Sequence, residues 1–357
     1  MLEHLLTPWT NPASRTWWVS LVPFTLVALL WLMRSPAGTL RRYWHSSCAL
    51  DLQLMLARQL LGLFGRGSQG GLALSVGVAV VSLMQWAGVK PMEAPGWAAL
   101  AYSLTLFVAW DFSRYITHWL LHRVPALWAL HQVHHSAERL TPLTFYRVHP
   151  LESVAYWLRG AVSTGAVAGL FHALFGNSIG PLTLLGAPAI GLALNMAYGN
   201  LRHSPIWVPF PAWLERWFIS PAQHQIHHGV GTDHLNIGTW LAVWDRLFGT
   251  LALSEQPPEA FGLAQRNHED DLISAWFGPL RSWLPRGLLP TALVLLLAPG
   301  LAQAQEAEEE EEPPEVEEEE AFTAPEAGMS ILVVDEEGTP RVAGSAYVVD
   351  EERLETF

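Results

Sequence analysis

The chain has 357 residues, 50% of them hydrophobic and only 15% charged, against about 25% charged in an ordinary soluble domain. Its net charge of -13 belongs to the C-terminal tail: residues 305–357 hold 19 acidic and 2 basic side chains, residues 1–304 hold 14 and 18. The single cysteine, Cys48, excludes an internal disulfide framework and a cysteine-built metal site.

Recurrent apolar runs make a bilayer the expected solvent, and the fold class expected is an all-α integral membrane protein. Five segments are expected to span it: Trp17–Met33, Leu72–Gly88, Trp97 to about Trp110, Val154–Phe175 and Ile179–Tyr198. The third is expected to continue as a helix to His122. Asn177 and Gly180 allow a tight turn between the last two, which form a helical hairpin.

Basic residues set the orientation. Arg34, Arg41, Arg42, Arg58 and Arg66 lie between spans one and two. Arg123, Arg139 and Arg147 follow span three, and Arg202, Arg216 and Arg246 follow span five. The positive-inside rule places these regions in the cytoplasm and the N-terminus outside. Two histidine clusters, one after span three and one after span five, then emerge on the same face.

Those clusters carry the chemistry. In "HWLLHRVPALWALHQVHH", His118 and His122 lie one helical turn apart on one face. His131, His134 and His135 follow an i, i+3, i+4 pattern, repeated by His224, His227 and His228 in "HQIHH". Neutral imidazole is a good ligand for iron, zinc or copper. Eight such rings are too many for one tetrahedral ion and suit two metals. Asp111 falls within roughly 20° of the His118–His122 line on a continuous helix. It either orients a ligand imidazole or pairs with Arg114.

"DFSRYITHWLLH", "HQVHH" and "HQIHH" resemble the three histidine boxes of the membrane fatty acid hydroxylase and sterol desaturase superfamily. "RVHPLE" (147–152), "NLRHS" (200–204) and "NIGTWLAVWDRLFGT" (236–250) resemble further signatures of its bacterial members, so the likeness covers roughly residues 40–285. The resemblance implies a cytoplasmic helical cap carrying a non-haem site of two iron ions, which zinc replaces in some purified relatives. It implies O2-dependent hydroxylation or desaturation of a lipid, such as a fatty acyl chain or a sterol or isoprenoid. A separate electron-donor protein and no nucleic acid are the implied partners, and a bacterial inner membrane is the implied location. The box ligands carried over are His118, His122, His131, His134, His135, His224, His227 and His228, with His203 of "NLRHS" as a ninth. His149 is a ligand, a residue that supports a ligand, or a cap at the turn made by Pro150. His234 matches more loosely. Asp245 and Arg246 are expected to form a structural ion pair.

The end of the chain reads differently. "PRGLLPTALVLLLAPGLAQAQ" (285–305) has the grammar of a secretory signal peptide, displaced deep into the chain. The acidic run 306–320 cannot bury a core and is expected to be disordered. The last residues alternate like short strands and resemble the start of a TonB-dependent receptor plug. The expected organisation is a membrane domain over 1–285, a signal-like segment over 286–304, an acidic linker over 305–328 and a β-like segment over 329–357. The tail reads as a truncated piece of a neighbouring exported protein, joined by fusion or a misplaced reading frame.

A histidine-rich metal transporter or sensor is the competing class. A transporter should carry ionisable residues along its spans. Here Arg159 and His172 are the main ones, and the boxes lie beyond the span ends. That favours an enzyme.

Overall fold

Helices make up the described architecture of the computed structural model, which covers residues 18–34, 45–64, 69–176, 193–195, 197–264, 271–281 and 283. In chain order they are α1 (Trp18–Arg34), α2 (Ser46–Phe64), α3 (Gln69–Trp86), α4 (Ala98–Arg123), α5 (Pro125–His135), α6 (Pro150–Phe175), α7 (Ala212–Glu215), α8 (Pro221–His227), α9 (Val243–Phe248) and α10 (Leu272–Arg281). Short 3-10 turns stand at Thr144–Tyr146 and Gly199–Leu201. Among the described residues there are two isolated β-bridges and no strand. The chain divides into two units, Met1–Val294 and Leu295–Phe357, and the described residues all fall in the first. The signal-like segment, the acidic run and the strand-like end lie outside the described residues, as does most of the expected fifth span.

Among the described residues, α6 is long and apolar enough to cross a membrane, and Leu21–Arg34 and Gly70–Trp86 are apolar but shorter. α3 packs against α6 through glycine. A Cβ on Gly169 would sit 2.5 Å from the Gly77 carbonyl, and one on Gly165 would sit 2.9 Å from Val76 Cβ. The two backbones therefore meet with no side chain between them, the approach that small residues permit between membrane helices. α4 packs on α6 through Ala98, Tyr102 and Leu106 against Val167, Phe171 and Phe175, with Tyr102 edge-on to Phe171 at 5.2 Å.

The stretch between the first two spans, expected as a basic loop, contains α2. Its Leu50 and Leu54 pack with Val133 and Ala275. Its fully buried Asp51 accepts from Thr144 Oγ1 at 2.6 Å and Arg147 Nη1 at 3.2 Å. Arg147 also donates to Val133 O (2.9 Å), Ser47 O (3.0 Å) and Ser136 Oγ (2.8 Å). One buried guanidinium thus ties α2 to the end of α5.

Prolines set the helix boundaries around the histidines. Pro125 holds Val124 extended (φ -94°, ψ 116°) and ends α4. Pro150 and Pro221 occupy first-turn positions, where the missing N–H costs nothing. Ser220 and Gln223 form a reciprocal capping box at the start of α8.

Candidate metal centre

Nine histidines converge in two groups. His118, His122, His131, His135 and His227 form one; His134, His203, His224 and His228 form the other. Within each group the candidate ligand atoms all lie within 4.8 Å of one another.

Each HxxHH turn serves both groups. At 3.6 residues per turn, positions i and i+4 share a face while i+3 falls to its other side. So His131 and His135 enter the first group and His134 the second, while His224 and His228 enter the second and His227 the first. The spacing is what lets two short helices build two adjacent sites.

Ring tautomers are fixed from outside. His118 Nδ1 donates to Ile237 O at 2.7 Å, His227 Nδ1 to Leu235 O at 2.8 Å and His134 Nδ1 to Arg147 O at 3.2 Å. A carbonyl can only accept, so each of these rings is protonated at Nδ1 and presents a lone pair at Nε2. Yet His227 Nε2 and His118 Nε2 stand 3.2 Å apart. His131 Nε2 and His122 Nε2 stand 3.0 and 3.3 Å from the same His118 atom. Two neutral rings with their protons turned away cannot hydrogen bond there, and their facing lone pairs suit a shared cation. A proton is disfavoured, since burial holds the His227 pKa well below the ordinary imidazole range. In the second group, burial takes His134 down to about 3. His135 Nε2 is buried without a hydrogen-bond partner. A set of neutral, converging imidazole nitrogens fits a borderline metal ion.

Carboxylates support this arrangement, and not in the way expected. Glu152, in the first turn of α6, meets His131 Nδ1 at 2.9 Å. Asp233 lies 3.7 Å from His122 Nδ1. Asp111 touches no ligand ring: its oxygens accept from Trp240 N (3.1 Å), Leu241 N (3.1 Å) and Trp244 Nε1 (3.0 Å). Asp245 does not pair with Arg246; it accepts from Ile237 N (2.8 Å), Gly238 N (2.9 Å) and Thr250 Oγ1 (2.6 Å). These two aspartates hold the strip 236–241 in place, and that strip presents the Ile237 carbonyl to His118. Asn236, at φ 50°, makes the turn and locks it by donating to Gln223 O and accepting from Ala252 N.

His149 is brought into neither group. Its Nδ1 accepts from Leu151 N at 3.1 Å, capping α6, and its Nε2 meets Trp276 O at 2.8 Å. His234 is exposed and also lies outside both groups. Glu152 and Asp233 carried no spacing signal, because their contacts with the rings cross separate elements.

If Glu152 orients His131, Glu152→Ala is expected to weaken metal binding by roughly 10- to 100-fold, with Glu152→Gln retaining part of the affinity. Metal retention against a graded series of chelators measures it, and unchanged retention in Glu152→Ala would remove the carboxylate from that role.

Residues 103–250 match the family model described as "Fatty acid hydroxylase". The chain is 27% identical over 204 residues to alkylglycerol monooxygenase of Homo sapiens, covering 54% of this chain and 41% of that one. It is 30% identical over 166 residues to ornithine lipid hydroxylase OlsE of Rhizobium tropici, covering 44% of each. The chain thus spans less than half the length of these relatives. No solved structure matches it.

Proposed function

We propose, on the premise that residues 103–250 belong to the fatty acid hydroxylase family, that the chain is an O2-dependent lipid hydroxylase with two iron ions. One ion is held by His118, His122, His131, His135 and His227, the other by His134, His203, His224 and His228. The observation that carries this reading is the pair of lone pairs on His118 and His227, turned toward each other by two backbone carbonyls.

Iron held by these histidines would supply O2 activation, with one oxygen atom entering a C–H bond and the other leaving as water once a separate donor protein provides two electrons, together with two protons. The protein's own part is to keep the buried rings neutral, to fix the proton of His118, His134 and His227 on the outward nitrogen and to exclude water by burial. Zinc would hold the site without supplying redox chemistry.

The setting we infer is a bacterial inner membrane, crossed five times, with the histidines on a cytoplasmic cap. Support comes from large apolar side chains left exposed on several helices: Leu26 and Met33 on α1, Leu74 and Val78 on α3, Leu100 on α4, Val154 and Val162 on α6. An apolar surface this extensive is suited to lipid rather than water.

The test supplies the full chain, in a lipid bilayer, with Fe(II), a chemical reductant, 18O2 and a broad panel of lipids. One 18O per product alcohol is the expected result. An 18O-free alkene would reassign the reaction to desaturation, and no product from an iron-loaded chain would sink the enzyme reading in favour of metal handling.

A further inference from the structure

Beside the histidines lies a cavity of about 100 Å³, bordered by His118 and His131 of one group and His134, His203 and His224 of the other. That volume holds several waters, room enough for a small polar group. Three arginines line it: Arg58, Arg114 and Arg202.

Arg202 is 4% exposed. Its guanidinium lies over the Trp240 ring at 3.9 Å, and Nη1 donates to Thr239 O at 2.8 Å. Nε and Nη2 are buried and have no hydrogen-bond partner. A guanidinium keeps its charge at any physiological pH, and buried donors without acceptors are costly. Arg114 is anchored at the same residue, its Nε donating to Thr239 Oγ1 at 2.8 Å and its guanidinium lying over Tyr156 at 4.6 Å. Among the described residues, Glu152 is the one carboxylate lining the cavity, and it is engaged with His131. Three guanidiniums against one committed carboxylate leave an excess of positive charge and two unfilled donors.

We propose that this cavity is an oxyanion subsite, in which Arg202 and Arg114 clamp a carboxylate or phosphate group against the histidine centre. The proposal rests on the hydroxylase reading only in taking that group to be the charged end of the lipid. The C–H bond oxidised then lies close to that end, not deep in the acyl chain. Planar, fixed donors are the geometry that carboxylate and phosphate oxygens match.

The experiment follows thermal unfolding of the full chain in neutral detergent micelles with four probes: dodecyl phosphate, dodecanoate, dodecanol and inorganic phosphate. Saturable stabilisation by dodecyl phosphate or dodecanoate, and none by dodecanol, is expected. Arg202→Met and Arg114→Met should each weaken that binding about 10- to 100-fold, as expected for hydrogen bonds to charged groups, with Arg202→Lys between. Metal content, measured on the same samples, should stay unchanged; this separates loss of the subsite from failure of the metal centre. Equal stabilisation by inorganic phosphate supports the oxyanion site and assigns it to a free anion. Equal binding of dodecanol, silence of both anionic amphiphiles, or undiminished binding in both methionine variants overturns the proposal. The probe comparison on the unaltered chain decides even where a variant fails to fold.

Discussion

His118→Ala is expected to abolish product formation and to empty the first metal position, so that metal content falls from about two ions per chain to one or fewer. The His118 Nε2 atom lies 3.0 to 3.3 Å from the corresponding atoms of His131, His122 and His227. Among the described residues, no other ring in that group has so many neighbours at hydrogen-bonding distance, so its loss removes the hub of the cluster. The loss of activity should exceed about 100-fold, the upper end of what removing an outer partner of a ligand costs. His149→Ala supplies the contrast. It removes a helix cap worth about 1 kcal/mol and should lower the melting point while leaving the metal in place. Metal analysis and turnover on both variants, beside the parent chain, check this. Full metal content and turnover in His118→Ala would mean that the convergence of the rings is not a metal site.

Asp111→Ala is expected to be the most destabilising single change near the centre. The side chain is wholly buried and satisfies three donors, Trp240 N, Leu241 N and Trp244 Nε1. Removing it orphans all three at about 1–3 kcal/mol each, several kcal/mol in a fold whose total stability is of order 5–15 kcal/mol. The strip 236–241 should come loose, and with it the Ile237 carbonyl that fixes the His118 proton. The melting point and the metal content should therefore fall together. A chain that lost metal affinity at an unchanged melting point would instead place Asp111 in direct contact with a ligand.

These two residues also mark what the sequence could and could not disclose. His118 was legible because its partner His122 stands one turn away, a relation that spacing alone reveals. The two HxxHH turns were legible for the same reason. Their division between two groups also follows from the helical period, once both turns face a common centre. Asp111 was legible as a carboxylate in register with the ligands, but its burial and its work were not. Its partners lie about 130 residues away, Trp240 and Leu241 on an irregular strip and Trp244 on α9, and no local pattern encodes that meeting. Glu152 and His131 are joined across a helix, a loop and a second helix. α2 was hidden because it lies in a stretch read as a basic loop from Arg34, Arg41, Arg42, Arg58 and Arg66, of which only Arg58 is on the helix. The run of α4 into the histidine region was legible, since the helix expected to reach His122 ends at Arg123, whereas α6 starts at Pro150, one turn before the apolar residues that marked it.

The strip that carries Leu235 and Ile237 sets what variation the centre can tolerate. It governs two ligand rings through main-chain oxygens, which every amino acid possesses. Leu235 can therefore change its side chain without disturbing the proton on His227. A one-residue insertion or deletion between Thr232 and Leu235 is another matter. It would shift both carbonyls at once, turning two ligands out of register in a single step. The length of this segment, more than its composition, is what the centre constrains.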